Sequence, residues 1–316
     1  MSWQSRIANT LYRFALRGRA AQKSIEEMRG SMEKSARRIR GAPRAVDQQR
    51  LRHEGLEFLR VAHPASRPGR AVLYLHGGGY ILGCLGLYGN AFHRISKRCE
   101  APLYAPRYRL APEHPYPAAV DDAEKAYRYL LDEGGLAPER IVLMGDSAGG
   151  GLAFALQMRL RDAGAPLPAC SVTLSPWLDL SGSGQSVIDN EARDVFFDRA
   201  DLPAMAAPYL GETPADHPGV SPLFGDVSGL PPALFQVSDS ELLLDDSRRM
   251  ARKLEAADVA TLLHVYHEQP HVWQMLGGML PEANEALDEL GAFARGHLDR
   301  SPADRMASRS PMRANA

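Results

Sequence analysis

The sequence predicts an α/β fold: a doubly wound, mostly parallel sheet with helices on both faces and a helical cap above it. Three observations lead there. From about Leu56 onward, short apolar runs rich in Val, Leu and Ile alternate with longer amphipathic segments, as expected of strands buried on both faces and joined by crossover helices. The chain has 316 residues, 45% of them apolar and 24% charged, enough to fill one large core with additions. Two regions, 1–50 and about 181–222, break the alternation, and stretches this long in a compact domain usually serve as lids or binding elements.

Residues 1–50 read as basic cap helices, with breaks near Gly30 and at Gly41-Ala42-Pro43. The first helix carries Arg6, Arg13, Arg17 and Arg19, has no acid before Glu26, and repeats Trp3, Ile7, Leu11 and Phe14 at helical spacing. Such a segment fits an organelle transit peptide, a membrane-surface helix or a helix of the protein itself, and we take the last as the expectation. Residues 51–300 form the main domain. Strands are expected at Ala71–Leu75, Leu103–Ala105, Ile141–Met144, Ser171–Leu174, Ala233–Val237 and Leu262–Tyr266. Helices are expected around Phe92–Arg98, Ala118–Leu131, Ala148–Ala163, Leu243–Ala256 and Glu282–Leu298. The 181–222 interval, rich in Ser, Gly, Asp and Pro, reads as a cap insert with one helix over Asp198–Tyr209. Residues 301–316 read as a disordered tail.

Composition narrows the function classes. The 37 basic and 38 acidic residues give a net charge of −1, so no global field points to nucleic acid. No apolar run approaches the ~20 residues of an integral membrane segment, and no secretory signal is evident. Cys84, Cys99 and Cys170 form no CxxC pair, so free thiols in a reducing, cytoplasmic compartment are the expectation.

The motifs are sharper. Gly145-Asp146-Ser147-Ala148-Gly149-Gly150 follows the Ile141–Met144 strand and opens an Ala/Leu-rich helix. A G-x-S-x-G in that context is a nucleophile elbow, with small residues relieving the crowded turn and the serine raised at a helix N-terminus. A phosphate-binding loop would require G-x-G-x-x-G or G-x-x-x-x-G-K-[ST], which are not present here. His76-Gly77-Gly78-Gly79-Tyr80 follows the Ala71–Leu75 strand and reads as an oxyanion loop. The expected donors are the N–H groups of Gly78, Gly79 and Ala148, with His76 bracing the loop. Asp146, Arg109 and Glu113 are expected to support their loops without touching substrate.

Together with Tyr108-Arg109-Leu110-Ala111-Pro112-Glu113, Tyr116-Pro117-Ala118, Ser175-Pro176-Trp177 and His271-Val272-Trp273, these motifs resemble the hormone-sensitive-lipase-like family of α/β-hydrolases, in its bacterial GDSAGG branch. The resemblance spans about residues 50–298. It implies an α/β-hydrolase with a cap, carboxylesterase activity on short- to medium-chain acyl esters, and no cofactor.

The chain order Ser, acid, His leaves His264, His267 and His271 as candidate bases, His264 within a strand and the other two beyond its end. The match to His-Val-Trp selects His271. A metal site from these histidines lacks any ligand motif, and none is expected. For the acid, the residues leave Asp239, Glu241 and Asp245 near a strand end. The family pattern Asp-x-Leu-x-Asp, laid on Glu241-Leu242-Leu243-Leu244-Asp245, implies Glu241 as the acid, with Asp239 as the alternative and Asp245 opening the next helix. The expected triad is therefore Ser147, His271 and Glu241. Trp177, Phe196, Phe197, Met205 and Tyr209 are candidates to line a substrate pocket. The expected partner is a small-molecule ester, with a homodimer left open. A related amide, lactone or lipid acyl hydrolase and a non-catalytic binder on the same fold are the alternatives.

Overall fold

Why the chain folds as a wound sheet is visible in its strands, whose successive side chains feed two different cores. The structure is a computed structural model and describes all residues except 16, 19–21, 39–41 and 301–316. Arg19, Gly41 and the expected disordered tail lie outside the described residues.

Two helices come first, α1 (Trp3–Ala15) and α2 (Ile25–Ala36). The expected break near Gly30 does not occur: Gly30 sits inside α2, where even a Cβ would meet nothing within 4 Å. Ser24 starts this helix with a reciprocal capping box to Glu27, which fixes its first turn. The helical reading of 1–50 also ends too late. β1 (Asp47–His53) and β2 (Leu56–Ala62) form an antiparallel hairpin. β1 is an exposed edge strand of polar sequence, so no apolar alternation betrays it.

The rest follows the expected alternation: β3 (Ala71–Leu75), α3 (Gly89–Cys99), β4 (Leu103–Pro106), α4 (Ala118–Asp132), β5 (Ile141–Asp146), α5 (Ala148–Asp162) and β6 (Cys170–Leu174). Then come α6 (Ser186–Asp189), α7 (Asp201–Leu210), β7 (Ala233–Ser238), α8 (Leu244–Ala256), β8 (Thr261–Tyr266) and α9 (Pro281–Leu298). The 181–222 interval holds α6 and α7 and no strand.

The eight strands order as β1-β2-β4-β3-β5-β6-β7-β8, parallel from β4 to β8. In β3, Leu73 and Leu75 point into one core with α4 and α5, while Val72 and Tyr74 point into the other with α3 and α9. Adding strands in this register aligns the C-terminal ends of β5 to β8, where Asp146 pairs with Leu174, Leu174 with Gln236, and Ser238 with Tyr266. Segments leaving those four ends therefore meet along one edge, where doubly wound sheets gather their functional groups.

Candidate active site

Ser147 leaves the end of β5 as the N-cap of α5 at φ 51°, ψ −123°. That conformation costs a non-glycine residue about 1–3 kcal/mol and is held by its surroundings. The Ser147 N–H donates to Leu174 O at 2.9 Å, and its carbonyl accepts from Trp177 N at 2.9 Å. The turn is tight enough that a Cβ on Gly145 would lie 2.2 Å from Gly149 O, and one on Gly149 2.0 Å from Leu75 O. Only glycine fits at either position.

The oxyanion loop lies beside this elbow. Gly78 and Gly79 take φ of 117° and 60°, turning their backbone out of the strand direction. Among the described residues, the N–H groups of Gly78, Gly79 and Ala148 donate to no protein acceptor. Asp146, fully enclosed, holds the loop in place. Its carboxylate accepts from Gly77 N at 2.9 Å, Tyr74 Oη at 3.0 Å and Tyr88 Oη at 3.1 Å. Burial pushes the Asp146 carboxyl up to about 6, against the pull of those donors. His76 braces the loop from the other side. Its Nδ1 lies 2.8 Å from Gly77 O, its ring stacks on Tyr108 at 4.2 Å, and burial lowers its pKa to about 4, so it is neutral near pH 7.

Glu241 follows β7 and His271 follows β8. His271 Nδ1 lies 2.6 Å from Glu241 Oε2, and both side chains are buried. The other oxygen, Oε1, accepts from Ser175 Oγ and Ser238 N, each at 2.8 Å. With both oxygens engaged, the carboxylate is fixed in orientation and so is the imidazole. His271 Nε2 is buried and has no hydrogen-bond partner among the described residues. Ser147 follows β5 and His271 follows β8, so both leave the sheet at its C-terminal edge.

Asp239 is engaged elsewhere. Its carboxylate binds His267 Nδ1 at 2.8 Å, Glu268 N at 2.9 Å and Arg193 at 3.3 Å, and makes no bond to His271. Asp245 stands in the first turn of α8 and accepts from Ser186 N at 2.9 Å. His264 sits in β8 against Glu289 at 2.7 Å.

The five pocket candidates separate. Phe196 and Phe197 flank the His271 ring at 5.3 and 4.9 Å. Met205 of α7 packs on the oxyanion loop, where a Gly79 Cβ would meet its Cε. Tyr209 is one layer removed, stacked on Tyr80 at 3.8 Å. Trp177 is core: it is 2% exposed and its indole N–H donates to Asp179 O at 3.1 Å. Ser147 and His271 are each only 6% exposed. Two surface clefts are lined by neither residue, one of 350 Å³ between α2 and the Gly83–His114 side and one of 390 Å³ along α1. The buried reactive atoms, not cleft size, locate the chemistry.

Three functional side chains escaped the sequence reading. Ser175 stood only inside a matching tripeptide, yet it orients Glu241; its φ of 47° at the end of β6 is what aims it there. Asp194 accepts from Phe196 N at 2.7 Å, Phe197 N at 3.0 Å and Leu242 N at 2.9 Å, tying the aromatic turn to the acid's own loop. Arg29 of α2 donates to Ile81 O and Ala111 O, each at 2.8 Å, and forks onto Glu113, so Glu113 anchors a cap helix as well as its own loop. Arg109, by contrast, stays local, forked onto Asp122. Among the described residues, no group of three or more His, Cys, Asp or Glu is placed to hold a metal, and no helix is long and apolar enough to cross a membrane.

Over residues 72–275 the chain matches a family described by the alpha/beta hydrolase fold. It is similar to an acetyl-hydrolase of Streptomyces hygroscopicus, 44% identical over 232 residues covering 73% of this chain and 77% of that one. An esterase of Acinetobacter venetianus is 38% identical over 225 residues, 71% of this chain and 74% of its own. Among solved structures, an esterase of the bacterial hormone-sensitive lipase family superposes with a TM-score of 0.89 at 37% identity, covering 94% of this chain and 99% of that one. EstE5, from a crystal soaked with p-nitrophenyl butyrate, superposes with a TM-score of 0.90 at 35% identity, covering 95% and 100%.

Proposed function

The chain belongs to the alpha/beta-hydrolase family, in its hormone-sensitive-lipase-like branch, and from that premise we propose that it hydrolyses short- to medium-chain carboxylic esters through an acyl-enzyme. The observation that carries this reading is the buried His271–Glu241 pair, whose open Nε2 shares one sheet edge with Ser147 and with three N–H groups lacking acceptors.

In this proposal Ser147 Oγ attacks the ester carbonyl while His271 Nε2 takes its proton. Glu241 holds Nδ1 protonated and stabilises the imidazolium. The N–H groups of Gly78, Gly79 and Ala148 receive the oxyanion. His271 then returns the proton to the leaving alcohol, activates a water, and the acyl-serine is hydrolysed. Phe196, Phe197 and Met205 supply apolar walls between the sheet edge and the cap. That wall suits acyl groups of modest size, consistent with the acetyl-hydrolase named above.

A cytoplasmic setting is supported by three free cysteines, of which Cys99 and Cys170 are buried. A homodimer through the edge strand β8 is supported by Leu262 and Val265, 47% and 42% exposed.

The test is turnover of p-nitrophenyl esters from acetyl to palmitoyl by wild type and Ser147→Ala. Short-chain hydrolysis that falls to background in Ser147→Ala is the expected result. A folded wild type that turns over none of the series would defeat the proposal.

A further inference from the structure

The helix α1 is bolted to the protein by the face that sequence periodicity makes polar. Ser5 is fully buried, and its hydroxyl lies within hydrogen-bond distance of two acceptors, Gln269 Oε1 at 2.9 Å and Glu282 Oε2 at 3.0 Å. Asn9 donates to Glu268 O at 2.8 Å, and Tyr12 meets Phe196 edge-on at 5.9 Å. Glu268 and Gln269 lie in the loop that leads to His271, and Phe196 lies on its ring.

The apolar face therefore points away from the body. Trp3 is 68% exposed, Ile7 51% and Leu11 61%, and Phe14 at 75% continues the line. Trp3, Ile7 and Leu11 recur every four residues, which puts them in one stripe. The helix packs on the protein through its polar face and turns Trp3, Ile7 and Leu11 to solvent. Arg6 and Arg13 are exposed and, at 100° per residue, flank one side of the stripe. Residues 1–25 hold five basic side chains and no acid, in a chain whose net charge is −1.

We propose that the outer face of α1 is a docking surface for anionic phospholipid at a lipid–water interface. A charged flank beside an apolar stripe headed by tryptophan is what an interfacial helix presents to such a surface. A second copy of the chain fits less well. An antiparallel two-fold contact would set Arg6 and Arg13 beside their own copies. Docking would hold the His271 loop next to the interface through Ser5, Asn9 and Tyr12. That the helix thereby directs the enzyme to esters partitioned into lipid rests on the esterase reading; the docking itself does not.

The experiment is flotation of the full chain with vesicles of phosphatidylcholine alone and of phosphatidylcholine mixed with phosphatidylglycerol. Trp3 is the one exposed tryptophan, since Trp177 and Trp273 are 2% and 0% exposed, so its emission reports insertion. The wild type is expected to float with the mixed vesicles, shift its emission to the blue, and bind less at high salt. Ile7→Ser/Leu11→Ser is expected to lower the partition at least about tenfold. Arg6→Glu/Arg13→Glu is expected to lower it on mixed vesicles only. Thermal melts by circular dichroism check folding independently of any activity. A wild type that stays unbound, or variants that bind equally well, would overturn the proposal. So would self-association by light scattering that Ile7→Ser/Leu11→Ser abolishes, which would assign the stripe to a second copy.

Discussion

Replacing Glu241 by glutamine tests the hydrogen-bond directions at the centre of the site. Glu241 Oε1 accepts from Ser175 Oγ and Ser238 N at 2.8 Å, so a glutamine must keep its carbonyl oxygen there. Its amide NH2 then faces His271 Nδ1, where the carboxylate now sits at 2.6 Å. Facing a donor, Nδ1 must become the acceptor, and the proton moves to Nε2. That is the wrong tautomer to deprotonate Ser147, and the charge that stabilised the imidazolium is gone as well. Loss of the acid in a Ser-His-acid triad with its shape kept lowers kcat by about 10⁴-fold, or about 5.5 kcal/mol of barrier. We expect Glu241→Gln to fall by about 10³–10⁴ in kcat on p-nitrophenyl butyrate, with KM little changed. Asp239→Asn, whose contacts go to His267 and Arg193, should stay within about threefold. A Glu241→Gln enzyme within tenfold of wild type, with Asp239→Asn collapsing instead, would refute the assignment.

Four further substitutions probe the frame. Gly145→Ala puts a Cβ 2.2 Å from the Gly149 carbonyl, backbone that cannot yield; we expect a loss of at least about 3 kcal/mol in urea unfolding. Asp194→Ala leaves three N–H groups unpaired and frees both the aromatic turn and the Leu242 loop, so a stability loss of about 3 kcal/mol and a kcat drop of at least about tenfold are expected. Arg29→Ala releases Ile81, three residues past Gly78, and should lower kcat more than it raises KM, because the oxyanion loop moves and the acyl wall does not. Burial and the nearby Asp179 charge push the Asp246 carboxyl up to about 8. Its raised native pKa means that the folded state keeps a proton the unfolded chain has released, so stability falls as pH rises, by up to about 1.4 kcal/mol per pH unit. Asp146 and Asp194, at about 6, finish their contribution by about pH 7, as does the opposing rise from His76, held near 4 against an ordinary value of about 6.5, so the window from about pH 7 to 8 belongs to Asp246. Urea midpoints across it should decline in wild type and flatten in Asp246→Asn.

What could be read ahead depended on whether a residue's role was local. The elbow and the glycine loop were legible because a strained turn restricts residue type over five or six consecutive positions. The parallel strands were legible because burial on both faces leaves unbroken apolar runs. β1 was not, since an exposed edge strand owes its place to hydrogen bonds with β2 and Asp47–His53 carries no alternation. Asp194 was not, because its partners include Leu242, far along the chain, and one aspartate in a polar loop looks like any other. The acid's register came from resemblance, while the contact that puts Glu241, and not Asp239, beside His271 spans thirty residues of chain and leaves no local pattern. Periodicity in α1 showed the stripe but not which face docks, because the opposite face is held through Ser5 and Asn9 by hydrogen bonds, which leave no hydrophobic signature.

The same contacts explain why a closed site can be both buried and built from distant parts. Each reactive group is held by a segment outside the sheet: the oxyanion loop through Arg29 of α2, the acid's loop through Asp194, and the His271 loop through Asn9 and Ser5 of α1. Hydrogen bonds carry these ties: Arg29, Asp194 and Asn9 each satisfy a backbone group that their loss would leave unpaired, and Ser5 meets side-chain oxygens. A covering layer attached in this way does more than shield the acyl group from water. Displacing α1 or α2 would move the base or the oxyanion donors, so geometry at Ser147 depends on where the cover sits. An interface that seats α1 would therefore act on the chemistry through the positions of those loops as well as by concentrating substrate.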